Sequence, residues 1–106
     1  MANKCEKNNV TLWKYCKVDY LFYNGDIHTG ERCEVRFDGN EIVVSYKEED
    51  GSFTVYRGKS VEDGHFVLST RDGNGRATLH KFTDSRVLEG YWEEKEYRGM
   101  WRITLQ

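Results

Sequence analysis

Proline is missing altogether from this chain of 106 residues. Nothing therefore interrupts a long ladder of backbone hydrogen bonds. Cysteine is scarce: Cys5, Cys16 and Cys33 form an odd set confined to the first third. The opening stretch from Met1 to Val10 is polar and has no apolar signal core. Together these features point to reduced thiols in a cytoplasmic protein. On that reading the sequon Asn9-Val10-Thr11 has no consequence. No apolar run approaches the roughly 20 residues of a membrane helix, so no membrane span is expected. An excess of basic charge is absent too. Sixteen Lys and Arg against eighteen Asp and Glu give a net charge of −2, with the two signs interspersed. Phosphate backbones need a basic face, so nucleic acid is not an expected partner.

What the chain does have is aromatic mass. Hydrophobic residues make up 38 % and charged residues 32 %, while Phe, Tyr and Trp alone supply 14 %. Each aromatic ring buries roughly 150–250 Å². Large apolar residues spaced singly between polar ones are what a sheet with one dry face uses. The length fits a single domain over residues 1–106, with 1–9 expected to be a flexible N-terminal segment.

Punctuation organises the rest. Asn24-Gly25, Asp38-Gly39, Asp50-Gly51, Asp63-Gly64 and Asp72-Gly73-Asn74-Gly75 are turn signals, with a weaker one at Asp84-Ser85. Such pairs supply the positive φ angles of tight hairpins. They recur every 9 to 14 residues, the spacing of consecutive strands in a barrel or sandwich. Between turns the residues alternate with period two. Cys33, Val35 and Phe37 share a face, as do Ile42, Val44 and Tyr46, then Phe53, Val55 and Arg57, then Phe66, Leu68 and Thr70. Ala77, Leu79 and Lys81 follow, then Leu88, Gly90 and Trp92, then Trp101, Ile103 and Leu105. Val10 to Tyr23 reads as a strand, or as a strand with a short helical turn. Counted as a strand, it makes eight.

The predicted fold is an all-β, antiparallel up-and-down meander of about eight strands closing into a barrel. Pairing the first strand with the last removes the exposed edges. An open two-sheet sandwich is the alternative. Gly58 and Gly90 interrupt strand patterns and read as bends, with space for a ligand beside Trp92 as a second reading of Gly90.

The tail Leu88-Glu89-Gly90-Tyr91-Trp92, followed by Gly99-Met100-Trp101-Arg102-Ile103, resembles the final hairpins of the calycin group of barrels: lipocalins, fatty-acid-binding proteins and avidins. The resemblance covers Glu31 to Gln106 and is architectural. In Thr11-Leu12-Trp13 the glycine that precedes the first-strand tryptophan of that group is missing. What the resemblance implies is a barrel that carries a ligand, and a fold alone does not fix a function.

Other chemistries find little support. Cys5, Cys16, His28 and Cys33 are zinc-ligand types, yet no Cys-x-x-Cys knuckle exists, so no metal and no cofactor is expected. Asp72-Gly73-Asn74-Gly75 begins like a calcium loop but lacks its later acidic ligands. His28, His65 and His80 read as surface histidines, and no Gly-x-Ser-x-Gly elbow is present. Glu48-Glu49-Asp50 and Glu93-Glu94 flank turns and read as solvated charge. No catalytic residue is expected.

The remaining constellation is aromatic. Alternating strand direction gathers Tyr46, Phe53, Thr70, Trp92 and Trp101 toward one end of the interior, with Arg57 and Lys81 reading inward from the other. Pockets combine apolar walls with a few polar groups, and Arg suits a carboxylate head. The expected function is thus non-enzymatic binding of a small apolar or amphipathic ligand, with Tyr46, Arg57, Trp92 and Trp101 as the ligand-binding residues. A filled interior is the other outcome open to a barrel this small. In that case the outer positions Tyr56, Val67, Phe82, Val87 and Tyr91 would form a surface for a protein partner or a homodimer.

Overall fold

A computed structural model describes residues 10–106. The expected flexible segment 1–9, with Cys5 and Asn9 of the sequon, lies outside the described residues. Eight strands follow in order: β1 (Val10–Phe22), β2 (Ile27–Asp38), β3 (Glu41–Lys47), β4 (Phe53–Glu62), β5 (His65–Thr70), β6 (Gly75–His80), β7 (Val87–Glu94) and β8 (Tyr97–Thr104). Each pairs antiparallel with the next, and β1 pairs with β8 from Lys17↔Thr104 to Phe22↔Gly99. The sheet is therefore the closed up-and-down barrel expected from pairing the first strand with the last, and not the two-sheet sandwich.

The turns form where the dipeptides place them. Gly25, Gly39, Gly51, Gly64 and Gly73 all hold positive φ, and Asp84 does so at 69°. One turn carries none of the predicted signals. Between β7 and β8 the chain reverses through Lys95 at φ 58°.

β1 resolves the ambiguous aromatic stretch into one strand with a displaced register. A shift between Trp13 and Cys16 lets both residues face inward although an odd number of positions separates them. Beyond it, Cys16, Val18, Tyr20 and Phe22 share the interior face. A second shift places Gly30, at φ 75°, in the β2 bulge, where its N–H donates to Asp19 Oδ1 at 3.0 Å.

The core follows period two on β2, β3 and β5 to β8. Val35, Ile42, Val44, Leu79, Leu88 and Ile103 are completely buried, and Leu68 and Val18 nearly so. These residues fill the waist of the barrel. β4 is the exception. Its register pairs Val44 with Tyr56 and Ile42 with Gly58, so Tyr56 points inward and is only 2 % exposed. Phe53 is exposed, and Arg57 lies on the outer face. The expected inward face Phe53, Val55 and Arg57 is therefore corrected by one residue. Both faces of this strand carry apolar side chains, so alternation alone could not choose between them. Pairing with β3 makes the choice. The correction also removes Tyr56 from the expected outer patch, where Val67 and Phe82 remain exposed and Val87 and Tyr91 are half-buried.

Gly90 is not a space kept for a ligand. A Cβ built there would lie 1.9 Å from the Thr78 carbonyl oxygen, so the neighbouring strand already fills the position. Gly58 is equally tight, with Val67 O at 1.8 Å. Both glycines let adjacent strands approach.

Cys16 and Cys33 are cross-strand partners, buried in the core as free thiols. Burial pushes both thiols up, Cys33 to about 12. The thiolate is the reactive form. At neutral pH the folded protein should therefore react rapidly with a thiol reagent at no more than one of its three cysteines, and at all three in denaturant. Two or three fast thiols in the folded state would contradict this packing.

Candidate functional site

One end of the barrel opens into a cavity of about 360 Å³. β1 contributes Tyr20 and Phe22 to its wall, β3 contributes Tyr46, and β4 contributes Tyr56. Trp92 from β7 and Trp101 from β8 complete the ring. Exposure orders these residues by depth. Trp101 and Tyr56 are each 2 % exposed and form the floor, while Tyr97, at 57 %, stands on the rim.

The rings support one another at edge and face. Trp92 meets Phe22 edge-on at 5.1 Å and Tyr20 edge-on at 5.9 Å. Trp101 stacks with Tyr20 at 6.4 Å and tilts against Tyr56 at 5.4 Å. Offset and edge arrangements match the aromatic quadrupole and add about 0.5–1.5 kcal/mol per pair beyond area burial. Both indoles are also anchored at their polar ends. Trp92 Nε1 donates to the Met100 carbonyl at 3.2 Å, and Trp101 Nε1 to the Thr78 carbonyl at 3.0 Å. Fixed in this way, they are walls rather than movable lids.

The polar groups are phenols and carboxylates. Tyr56 donates its hydroxyl to Glu94 Oε1 at 2.8 Å. Burial, reinforced by that bond, holds the Tyr56 hydroxyl neutral well above the usual phenol range. Burial does the same for Tyr20, with Tyr46 beside it as the next cause. Tyr46 is raised to about 12, by burial first and then by the charges of Glu94 and Glu48. Around the rim stand Glu31 and Glu48, with His28 and Lys95. Glu48 also accepts the hydroxyl of Thr54, and the His28 ring packs on Phe22 at 5.1 Å.

Three of the four residues singled out in the sequence meet here: Tyr46, Trp92 and Trp101 line one space. Arg57 does not join them. On the outer face it pairs with Glu41 at 3.6 Å, so the charged group stays in water rather than entering the barrel. Tyr20, Phe22 and Tyr56 were not legible as site residues. The first two lie beyond a bulge that breaks alternation, and Tyr56 sits on the strand whose two faces read alike.

The opposite end holds a second cavity of about 620 Å³, bounded by Trp13, Phe37, Phe66 and Leu105. Lys81 lines it, as its inward reading requires, and the Arg86 guanidinium lies over the Trp13 ring at 5.3 Å. The fully buried waist lies between the two ends. His65 and His80 pair across β5 and β6 with Nδ1 atoms 2.8 Å apart, one ring donating and the other accepting. Among the described residues no cluster of three or more His, Cys, Asp or Glu is placed to hold a metal ion, and no helix is long and apolar enough to cross a membrane. A scan against models of protein families, a search of curated proteins and a search of solved structures each found no match to this chain.

Proposed function

We propose that this protein is a non-enzymatic binding barrel that takes a small amphipathic ligand into its aromatic mouth, in the manner of the calycin-like architecture it resembles. The observation that carries this reading is the convergence of six aromatic side chains from five strands on one cavity of about 360 Å³. Ligand sites run from about 300 to 1,000 Å³ and combine apolar walls with a few fixed polar groups. The volume suits a small molecule, or the end group of a longer one whose tail leaves through the rim. The neutral phenols of Tyr20 and Tyr46 supply hydrogen-bonding groups without a charge to desolvate. Operation in the cytoplasm belongs to the same proposal, supported by two buried cysteines left as thiols.

Tryptophan fluorescence tests it. The chain has three tryptophans, and Trp13 lies at the far end. In a Trp13→Phe background the signal reports Trp92 and Trp101 alone. An amphipathic ligand should quench it saturably, and Tyr46→Ala should weaken binding several-fold while Arg57→Ala leaves it unchanged. Quenching that never saturates, or that survives unaltered in Tyr46→Ala, would defeat the proposal.

A further inference from the structure

We infer that the head group this mouth accepts is an alkylated ammonium, a conclusion that rests on the ligand-binding reading above and narrows it. Aromatic rings present negative faces, so a cavity walled by them attracts a cation and offers little to an anion. The charged groups agree. Three carboxylates, Glu31, Glu48 and Glu94, line the cavity against a single lysine, Lys95, and the histidine His28. Glu94 is the carboxylate closest to the floor: it is half-buried, and the Tyr56 hydroxyl holds it in place at 2.8 Å. A carboxylate-bearing ligand would meet these groups with like charge, and Arg57, the residue that could have answered it, faces outward.

Alkylation matters because the deeper wall is apolar. A primary ammonium brings three N–H donors that each need a partner, and most of the wall there is ring carbon. Methyl groups in their place shed water readily and pack against ring faces while the charge remains. Tyr20 and Tyr46 stay neutral, so their oxygens can turn toward the cation, and the rim carboxylates supply the longer-range attraction.

The test compares three probes of equal tail: hexyltrimethylammonium, hexanol and hexanoate, titrated against Trp92 and Trp101 fluorescence in the Trp13→Phe protein. The ammonium is expected to bind about tenfold tighter than the alcohol, with hexanoate weakest. Added salt should weaken the ammonium and spare the alcohol. Glu94→Gln keeps an acceptor for Tyr56 but removes the charge. It should lower affinity for the ammonium about tenfold and leave that for hexanol unchanged. If hexanol or hexanoate binds as well as the ammonium, or Glu94→Gln weakens all three alike, the cation inference is overturned while a binding mouth survives. If none of the three perturbs either tryptophan, the binding reading falls with it.

Discussion

Gly90→Ala is expected to destabilise the barrel by about 3 kcal/mol, the upper end of what a single overpacked position costs. The new methyl carbon would lie 1.9 Å from the Thr78 carbonyl oxygen and 2.5 Å from its carbon. These are backbone atoms of the neighbouring strand, so no side chain can rotate away. The same carbonyl accepts the Trp101 indole bond, and any retreat of β6 disturbs the floor of the cavity as well. A urea midpoint shifted far downward with an unchanged slope is the expected readout. Gly39→Asn serves as control. Gly39 has φ 63° with open space around its Cα, and asparagine tolerates that conformation. Its midpoint should barely move. Equal stability of Gly90→Ala and the parent would show that β6 and β7 do not approach this closely.

Alkaline solution should unfold the protein steeply. Tyr20, Tyr46 and Tyr56 are held neutral by burial, so their folded values stand above the 10 at which an unperturbed phenol ionises. A group raised on folding contributes stability that is fully present below its unfolded value and is lost as pH climbs above it. Above pH 10 the unfolded chain binds fewer protons than the folded one, so stability falls with pH. Each such tyrosine removes about 1.4 kcal/mol per pH unit, and the three together about 4. Cys16 and Cys33 act in the same direction from their ordinary value of 9. A domain with a stability of about 5–15 kcal/mol is exhausted within a few pH units. Tyrosinate absorbance from three of the seven tyrosines should therefore appear together with loss of the β circular-dichroism signal. Tyr20→Phe should flatten the pH dependence by about 1.4 kcal/mol per unit. Smooth ionisation of all seven near pH 10 within an intact barrel would refute this account.

Local chemistry made most of the fold legible. The glycines of five Asn-Gly and Asp-Gly sites, Gly25, Gly39, Gly51, Gly64 and Gly73, take a backbone conformation that other residues resist, so each marks its turn without reference to the rest of the molecule. Alternation also sufficed on β8, where Trp101, Ile103 and Leu105 oppose Arg102 and Thr104 and admit one orientation. It failed where the decisive information lay on another strand. Phe53, Val55 and Tyr56 make both faces of β4 apolar, and only the pairing of Val44 with Tyr56 sets its rotation. In β1 the displaced register between Trp13 and Cys16 changes parity in mid-strand, which hides Tyr20 and Phe22 from any count. The tryptophans of the cavity were therefore visible in the sequence. Half of its aromatic wall, and the carboxylates on its rim, depended on long-range pairing.

The seam between β1 and β8 also sets the order of assembly. Seven of the eight strand pairings join neighbours in the chain, whereas the eighth unites Lys17 with Thr104 and must wait for nearly the whole polypeptide. Closing so long a loop costs more entropy than any hairpin, so the seam closes late in folding. Until then β1 presents an unpaired edge on which a second nascent chain could dock. Lys14, Lys17 and Asp19 point away from the core along that strand. Charges at such an edge discourage pairing between copies. On this account they guard the edge until β8 pairs with it, and Lys14 and Lys17 remain exposed on the closed barrel.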